Sequence, residues 1–154
     1  MATYYLDSSS LIKRYVVEIG SAWVKDLSDL SAGNILLTSR LTVVETRSAL
    51  ARRRREASIS LTDHASALRT FQTHCLIQYH FVEFESPIVE LAGDLVENYV
   101  LRAYDAVQVA SAISVHRNLV TARLPGLIFL AADDRILKVA QAEGMVTDNP
   151  NGHI

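Results

Sequence analysis

Thr-Tyr-Tyr-Leu-Asp-Ser-Ser-Ser-Leu-Ile-Lys-Arg-Tyr-Val, residues 3–16, is the stretch that sets the pattern of this chain. Residues 3–6 have the composition of a short β-strand, and the apolar residues within 11–16 recur at the spacing of one helix face. The serines at 8–10 are of a type that commonly caps the start of a helix. Asp7 therefore lies at the turn from a strand into a helix.

The same alternation of strand-like and helix-like runs continues along the chain. Because the strands are joined by helices and not by tight hairpin turns, the connections are expected to be right-handed crossovers. The expected fold class is α/β, with a central, mainly parallel β-sheet of four to five strands and helices on both faces. Residues 1–154 are expected to form a single domain. Further strands are predicted at 35–37, 79–84, 127–132 and 145–147, and further helices at 22–30, 42–57, 62–75, 86–99, 104–115 and 134–143.

Capping signals predict where two of the helices begin. Thr42 is followed three residues later by Glu45, which is the form of a capping box, so a helix is expected to start at Thr42. Thr62 and Asp63 are expected to open the next helix. In both cases the prediction rests on a side-chain oxygen that accepts a hydrogen bond from the first turn.

The composition limits the classes of protein to which the chain can belong. A hydrophobic content of 49% in 154 residues is enough for one full core. A net charge of −2 and a pI near 6.2 argue against bulk electrostatic binding of nucleic acid, so any such contact is expected to be local. Cys75 is the only cysteine, which fits a reducing cytosol. The beginning of the chain has no signal-peptide pattern and no long apolar run is present, so neither secretion nor membrane insertion is expected.

Acidic residues stand at the ends of strand-like runs or in the first turns of helix-like runs. In a parallel α/β fold these places meet at one edge of the sheet, so a cluster of carboxylates is predicted there. Carboxylates about 4 to 6 Å apart would repel one another by roughly 3 to 4 kcal/mol per pair, which a divalent cation relieves. Oxygen ligands without histidine or thiolate favour a hard ion such as Mg²⁺ or Mn²⁺. The predicted ligands are Asp7, Glu45, Asp105 and Asp133.

Each of these acids also has an ordinary structural explanation. Asp7 and Asp105 are each favourable to the dipole of the helix that they precede or open. Glu45 is the residue that a capping box starting at Thr42 requires. Asp133 is followed directly by Asp134, and one of the two can cap the next helix while the other points into the cluster. The spacing alone does not say which one does so.

Four blocks of sequence together resemble a known family. They are Tyr-Leu-Asp-Ser-Ser-Ser-Leu-Ile-Lys-Arg-Tyr at 5–15, Val-Val-Glu-Thr-Arg-Ser-Ala-Leu at 43–50, Leu-Arg-Ala-Tyr-Asp-Ala-Val-Gln-Val-Ala-Ser-Ala at 101–112 and Phe-Leu-Ala-Ala-Asp-Asp-Arg-Ile-Leu at 129–137. In order and spacing these blocks resemble the motifs of PIN-domain ribonucleases, especially the VapC toxins of prokaryotic toxin–antitoxin pairs. The resemblance covers nearly the whole chain.

The resemblance implies a function and a set of site residues. It implies a Mg²⁺- or Mn²⁺-dependent endoribonuclease in which water attacks the phosphodiester, with Asp7, Glu45, Asp105 and Asp133 as the catalytic and metal-binding acids. Ser9 matches a position that often carries a site hydroxyl. The resemblance also implies a VapB-like antitoxin partner, a homodimer and a location in the prokaryotic cytoplasm.

Basic residues near the acids are candidates for contacts with RNA. Arg47 follows Glu45 by two residues, and Arg102 precedes Asp105 by about one helical turn. The run at 52–55 points around the whole circumference of a helix, and is either a solvated helix end or a substrate contact.

Two other classes of function remain as alternatives. A receiver-like phosphoacceptor domain is also a parallel α/β unit that holds Mg²⁺ with acids, but it usually has an acidic pair after its first strand, where Asp7 stands alone. A PIN-like fold that serves only as a binding module is the second alternative.

Overall fold

A computed structural model describes residues Met1–Ile154 and contains one five-stranded sheet. All neighbouring strands are parallel, and their order across the sheet is β3-β2-β1-β4-β5. The predicted α/β class is therefore confirmed, with the sheet at the upper end of the predicted size. The strands are β1 (Thr3–Leu6), β2 (Ile35–Ser39), β3 (Tyr79–Val82), β4 (Ile128–Leu130) and β5 (Val146–Asp148).

Seven α-helices and three short 3₁₀ turns surround the sheet. None of these helices combines the length and the apolar character that crossing a bilayer requires. The α-helices are α1 (Ser8–Leu11), α2 (Ser21–Leu27), α3 (Leu41–Arg55), α4 (Leu61–Ile77), α5 (Ser86–Asn98), α6 (Ala103–Thr121) and α7 (Asp134–Ala142), and the 3₁₀ turns are Ile12–Arg14, Leu30–Ala32 and Pro150–Gly152.

Hydrophobic cores cover both faces of the sheet. Successive residues of a strand point to opposite faces, so Tyr5 and Leu6 of β1 belong to different cores. Tyr5 stacks on Phe129 of β4 with ring centroids 5.5 Å apart, and α5, α6 and α7 pack over this face. On the opposite face Leu6 packs with residues of α1, α2 and α4, including Phe71. The central strands are buried on both sides, which explains their continuous apolar sequence.

The two helices begin within one residue of their predicted starts, but neither is capped as predicted. Helix α3 begins at Leu41, so Thr42 lies inside it, and no capping box forms. The Thr42 hydroxyl contacts the Thr38 hydroxyl at 2.8 Å. Helix α4 is capped by Ser60, whose hydroxyl accepts a hydrogen bond from the backbone N–H of Asp63 at 3.0 Å. The side chain of Glu45 is therefore free for another role.

Candidate active site

The acidic residues predicted to cluster all lie near the carboxyl edge of the sheet. Asp7 directly follows β1, and Asp133 comes shortly after β4, which is the neighbour of β1. Glu45 lies in the second turn of α3, the helix that follows β2. Asp105 lies in the first turn of α6. Parallel pairing of β1 with β2 and β4 brings Asp7, Glu45 and Asp133 toward one edge, and the packing of α6 on the sheet adds Asp105.

Asp7 is the most deeply buried of these acids, with only 2% of its surface exposed. Its Oδ1 accepts hydrogen bonds from the Ser9 hydroxyl at 2.7 Å and from the backbone N–H of Ser10 at 3.0 Å. Its Oδ2 accepts none from the protein. Burial raises the pKa of Asp7 from its ordinary value of 3.8 to about 7, and the charge on Glu45 adds to the rise. A buried carboxylate with a free oxygen is suited to bind a cation.

Glu45 is held at both of its oxygens. Oε1 accepts a hydrogen bond from the side-chain amide of Gln108 at 2.6 Å, and Oε2 accepts one from the Ser8 hydroxyl at 3.0 Å. Burial raises the pKa of Glu45, these two hydrogen bonds act in the opposite direction, and the charge on Asp105 raises the pKa further. The side chain is thus fixed between Asp7 on one side and Asp105 on the other.

Asp105 and Asp133 complete the row of acids but differ in their surroundings. Burial raises the pKa of Asp105, and the neighbouring Asp133 raises it further. Asp133 caps α7 by accepting a hydrogen bond from the backbone N–H of Arg135, whose guanidinium also binds both carboxylate oxygens of Asp133. These bonds lower the pKa of Asp133. Asp134 instead accepts a hydrogen bond from Asn149, and the charge that raises the pKa of Asp105 is that of Asp133.

The acids form a continuous electrostatic row without forming a closed cage. Each raises the pKa of its neighbour, from Asp133 to Asp105, from Asp105 to Glu45 and from Glu45 to Asp7. No group of three or more Asp, Glu, His or Cys side chains is arranged to hold one ion without movement. Mg²⁺ usually keeps several waters and binds through one or two carboxylates, and Asp7 and Asp105 have the oxygens for this. The donor set therefore fits a hard divalent cation.

Comparison with known proteins decides the family. The family model described as the PIN domain matches residues 4–142.

This chain belongs to the PIN-domain family.

Its relatives include Ribonuclease VapC45 and Ribonuclease VapC49, from two strains of Mycobacterium tuberculosis. Each is 31% identical over 144 residues, which cover 94% of this chain and 93% of the relative. These matches place this PIN domain among the VapC ribonucleases, as the sequence blocks predicted. The match to the PIN family also rules out the receiver-like alternative.

Two solved structures have the same fold. The crystal structure of VapBC2 from Rickettsia felis bound to a DNA fragment from their promoter contains a chain with a TM-score of 0.61 and 12% identity, covering 96% of this chain and 98% of that one. The crystal structure of PAE2754 from Pyrobaculum aerophilum gives a TM-score of 0.59 and 20% identity, covering 98% and 91%. At these identities the likeness shows the fold alone.

A cleft of about 680 Å³ opens beside Glu45 in this PIN domain, and Asp105 and Asp133 line a smaller cavity of about 230 Å³ that shares Arg102 with it. Ser9 and Arg102, both predicted to contact substrate, line this cleft, whereas Arg47 is exposed on α3 outside it. The Ser9 hydroxyl donates to Asp7 and accepts from the backbone N–H of Ala132 at 2.8 Å, so it positions Asp7. Arg102 forms no ion pair with an acid. Of the basic run at 52–55, only Arg52 and Arg53 line the cleft.

Gln108 is the site residue that sequence reasoning missed. It is 1% exposed, and its side-chain oxygen accepts a hydrogen bond from the Tyr5 hydroxyl at 2.7 Å. This bond turns the amide nitrogen toward Glu45 and toward the Thr42 hydroxyl at 2.8 Å. The available signal was one amide between Val107 and Val109 in an otherwise apolar helix, since a buried amide must have partners.

We expect Gln108→Met to lower the free energy of unfolding by roughly 2 to 3 kcal/mol, because Tyr5 and Glu45 both lose a buried partner. Tyr5→Phe keeps the stacking on Phe129. It should lower the free energy of unfolding by less in the Gln108→Met variant than in the wild type. A double-mutant cycle measured by urea unfolding checks this, with an expected coupling of about 1 kcal/mol. Strictly additive effects would mean that Tyr5 and Gln108 do not act as one unit.

Proposed function

We propose that this protein is a Mg²⁺- or Mn²⁺-dependent endoribonuclease and the toxin component of a type II toxin–antitoxin pair. Asp7, Glu45, Asp105 and Asp133 are proposed as the acids of the site. The observation that carries the proposal is the row of coupled carboxylates at the edge of a PIN-domain sheet, ending in the buried Asp7 with its free oxygen. Burying charge in this way is costly unless a cation is bound.

The residues of the chain are proposed to hold a cation and orient the substrate. Asp7 and Asp105 would bind the ion most directly, with Glu45 and Asp133 beside them. A bound Mg²⁺ or Mn²⁺ supplies positive charge that offsets the charge growing on the phosphoryl oxygens and makes water easier to deprotonate. Ser9 and Gln108 keep Asp7 and Glu45 in place, which avoids reorganisation during the reaction.

Arginines of the cleft are proposed to bind the phosphates of the RNA backbone. Arg52 and Arg102 line the cleft and form no ion pair within the protein, so both are available to an anion. Arg47 is not included, because it lies outside the cleft. Attack of water on phosphorus forms the new P–O bond and releases the 3′-oxygen, leaving 5′-phosphate and 3′-hydroxyl ends.

The partners are proposed from the relatives. The fold is shared with a chain of a VapBC complex, and the VapC ribonucleases are the relatives in sequence, so a VapB-like antitoxin is the proposed partner. A homodimer and a location in the prokaryotic cytoplasm complete the proposal.

We expect purified protein to cleave RNA in the presence of Mg²⁺ and to stop when EDTA is added. The products should carry 5′-phosphates, detected by digestion with a 5′-phosphate-dependent exonuclease, and 3′-hydroxyls, detected by extension with poly(A) polymerase. Asp105→Asn purified in parallel controls for contaminating nucleases. Cleavage that continues in EDTA, or products with cyclic phosphates, would contradict the proposed chemistry. Absence of cleavage with intact RNA binding would favour the alternative of a binding module.

A further inference from the structure

Tyr104 is an exposed aromatic residue at the edge of the cleft. It lies in the first turn of α6, directly before Asp105, and 63% of its surface is exposed. The ring lines the same cleft as Ser8, Ser9 and Glu45. It is therefore the one aromatic side chain placed next to the row of acids on the solvent side.

The Tyr104 ring is not part of the hydrophobic core. It is absent from the side chains that pack on the core of α5, α6 and α7, whereas Tyr99 and Leu101 just before it do pack there. None of the ring pairs of the protein includes Tyr104, and its hydroxyl forms no hydrogen bond within the chain. Replacing the ring should therefore cost little stability, and the exposed ring is open to a ligand in the cleft.

The charges around Tyr104 favour a strand of nucleic acid as its partner. Arg102 and Arg52 line the cleft and form no ion pair, whereas Lys13 and Arg53 are both paired with Glu18. The charge on Arg102 also lowers the pKa of Asp105 and Asp133. Unpaired cations beside an exposed ring are the combination by which proteins hold single strands, with phosphates on the cations and a base on the ring. The chain as a whole has a net charge of −2, so this arrangement is local.

We propose that Tyr104 stacks on a nucleobase next to the phosphate that is cut, and so selects a strand whose base is unpaired. This inference rests on the proposed ribonuclease function and adds a positioning residue to it. Because Glu45 and Arg102 line the same cleft as Tyr104, a base held on its ring would bring the neighbouring phosphate toward Glu45 and Arg102. A base that is paired within a duplex cannot offer its face in this way.

The test compares Tyr104→Leu, Tyr104→Phe and the matched control Phe84→Leu, which removes an exposed ring outside the cleft. The probe is labelled oligoadenylate, measured in EDTA so that it stays uncut, together with the same strand carrying 2-aminopurine at one position. Tyr104→Leu should weaken binding roughly 5- to 100-fold, while Tyr104→Phe and Phe84→Leu should bind as the wild type does. The change in 2-aminopurine fluorescence on binding should disappear only in Tyr104→Leu.

A strand with one abasic nucleotide tests the stacking directly. When the missing base is the one that Tyr104 contacts, the wild type should bind the abasic strand more weakly than the intact strand. Tyr104→Leu should bind the two strands equally well. If the wild type binds and cleaves RNA and Tyr104→Leu does both equally well, the role of Tyr104 is refuted and the ribonuclease function stands. If the wild type neither binds nor cleaves RNA, the ribonuclease function itself fails.

Discussion

Asp7→Asn is expected to reduce RNA cleavage by on the order of 10³-fold or more, the range found when a group central to transition-state stabilisation is removed. Asp7 is the buried end of the acid row and has the free oxygen that a cation needs. An amide at this position can still accept the hydrogen bonds from Ser9 and Ser10 through its oxygen. The fold should therefore survive while the site loses its charge. Initial rates in saturating Mg²⁺, compared with those of the wild type, measure the loss.

The same substitution is expected to stabilise the metal-free protein. A rise in the pKa of Asp7 from 3.8 to about 7 means that the folded state binds the proton more tightly than the unfolded state does. The free energy of unfolding therefore falls as the pH rises from about 4 to about 7, by at most about 4 kcal/mol. In EDTA at pH 8, Asp7→Asn should melt higher than the wild type by roughly 4 to 10 °C. The difference should shrink toward pH 4.

Asp134→Asn is the matched control for this experiment. Asp134 is also an acid at the edge of the sheet, but it is exposed and bonded to Asn149. The Asp134→Asn variant should cleave RNA as the wild type does, and its melting temperature in EDTA should not exceed that of the wild type at any pH. Full activity of Asp7→Asn, or equal loss of activity in the Asp134 variant, would refute the assignment of Asp7.

Mg²⁺ or Mn²⁺ is expected to raise the melting temperature of the wild type. A ligand at 100 times its dissociation constant adds about 2.7 kcal/mol, which for a chain of this length corresponds to roughly 5 to 10 °C. The effect should be larger at pH 8 than at pH 6, because the cation must displace the proton that Asp7 holds at the lower pH. Thermal melting in EDTA and across a series of metal concentrations measures both effects.

Two controls separate a bound ion from a general salt effect. NaCl at matched ionic strength should leave the wild-type melting temperature nearly unchanged. Asp7→Asn should lose most of the shift caused by the metal, since it removes a proposed ligand. A shift of equal size in Asp7→Asn, or no shift in the wild type, would count against a site at Asp7.

Local patterns in the sequence were enough to predict the strands and the places of the acids. Residues 3–6 and 127–132 are apolar because their strands are buried on both faces, and this composition is visible without a structure. Asp7 and Asp133 follow these strands directly, so their convergence could be predicted from the parallel topology. The helices predicted from Thr42 and Thr62 begin one residue earlier, at Leu41 and Leu61, but their caps could not be predicted, because a capping motif depends on the backbone angles at Arg40 and Ser60.

The predicted substrate contacts also differ in whether the structure places them at the cleft. Arg47 is close to Glu45 in sequence, but its position on α3 turns it away from the cleft, whereas Arg52 lies one and a half turns further along and reaches it. Ser9 was expected as a site hydroxyl, and the structure shows that its hydroxyl binds Asp7 and the backbone of Ala132. Two residues along an α-helix correspond to a rotation of about 200°, so Arg47 points to the side opposite Glu45 although it is close in sequence.

The sequence by itself determined the α/β class and the order of its elements, and it predicted where the four acids lie, because apolar periodicity and strand ends are local properties. Only the tertiary structure decided that Gln108 joins Tyr5 to Glu45, that Arg135 binds both oxygens of Asp133, and that Tyr104 stands exposed beside the cleft. The first of these relations joins residues on different elements. It arises when the sheet and its helices pack together, and hydrogen bonding and burial then select the partner of each side chain.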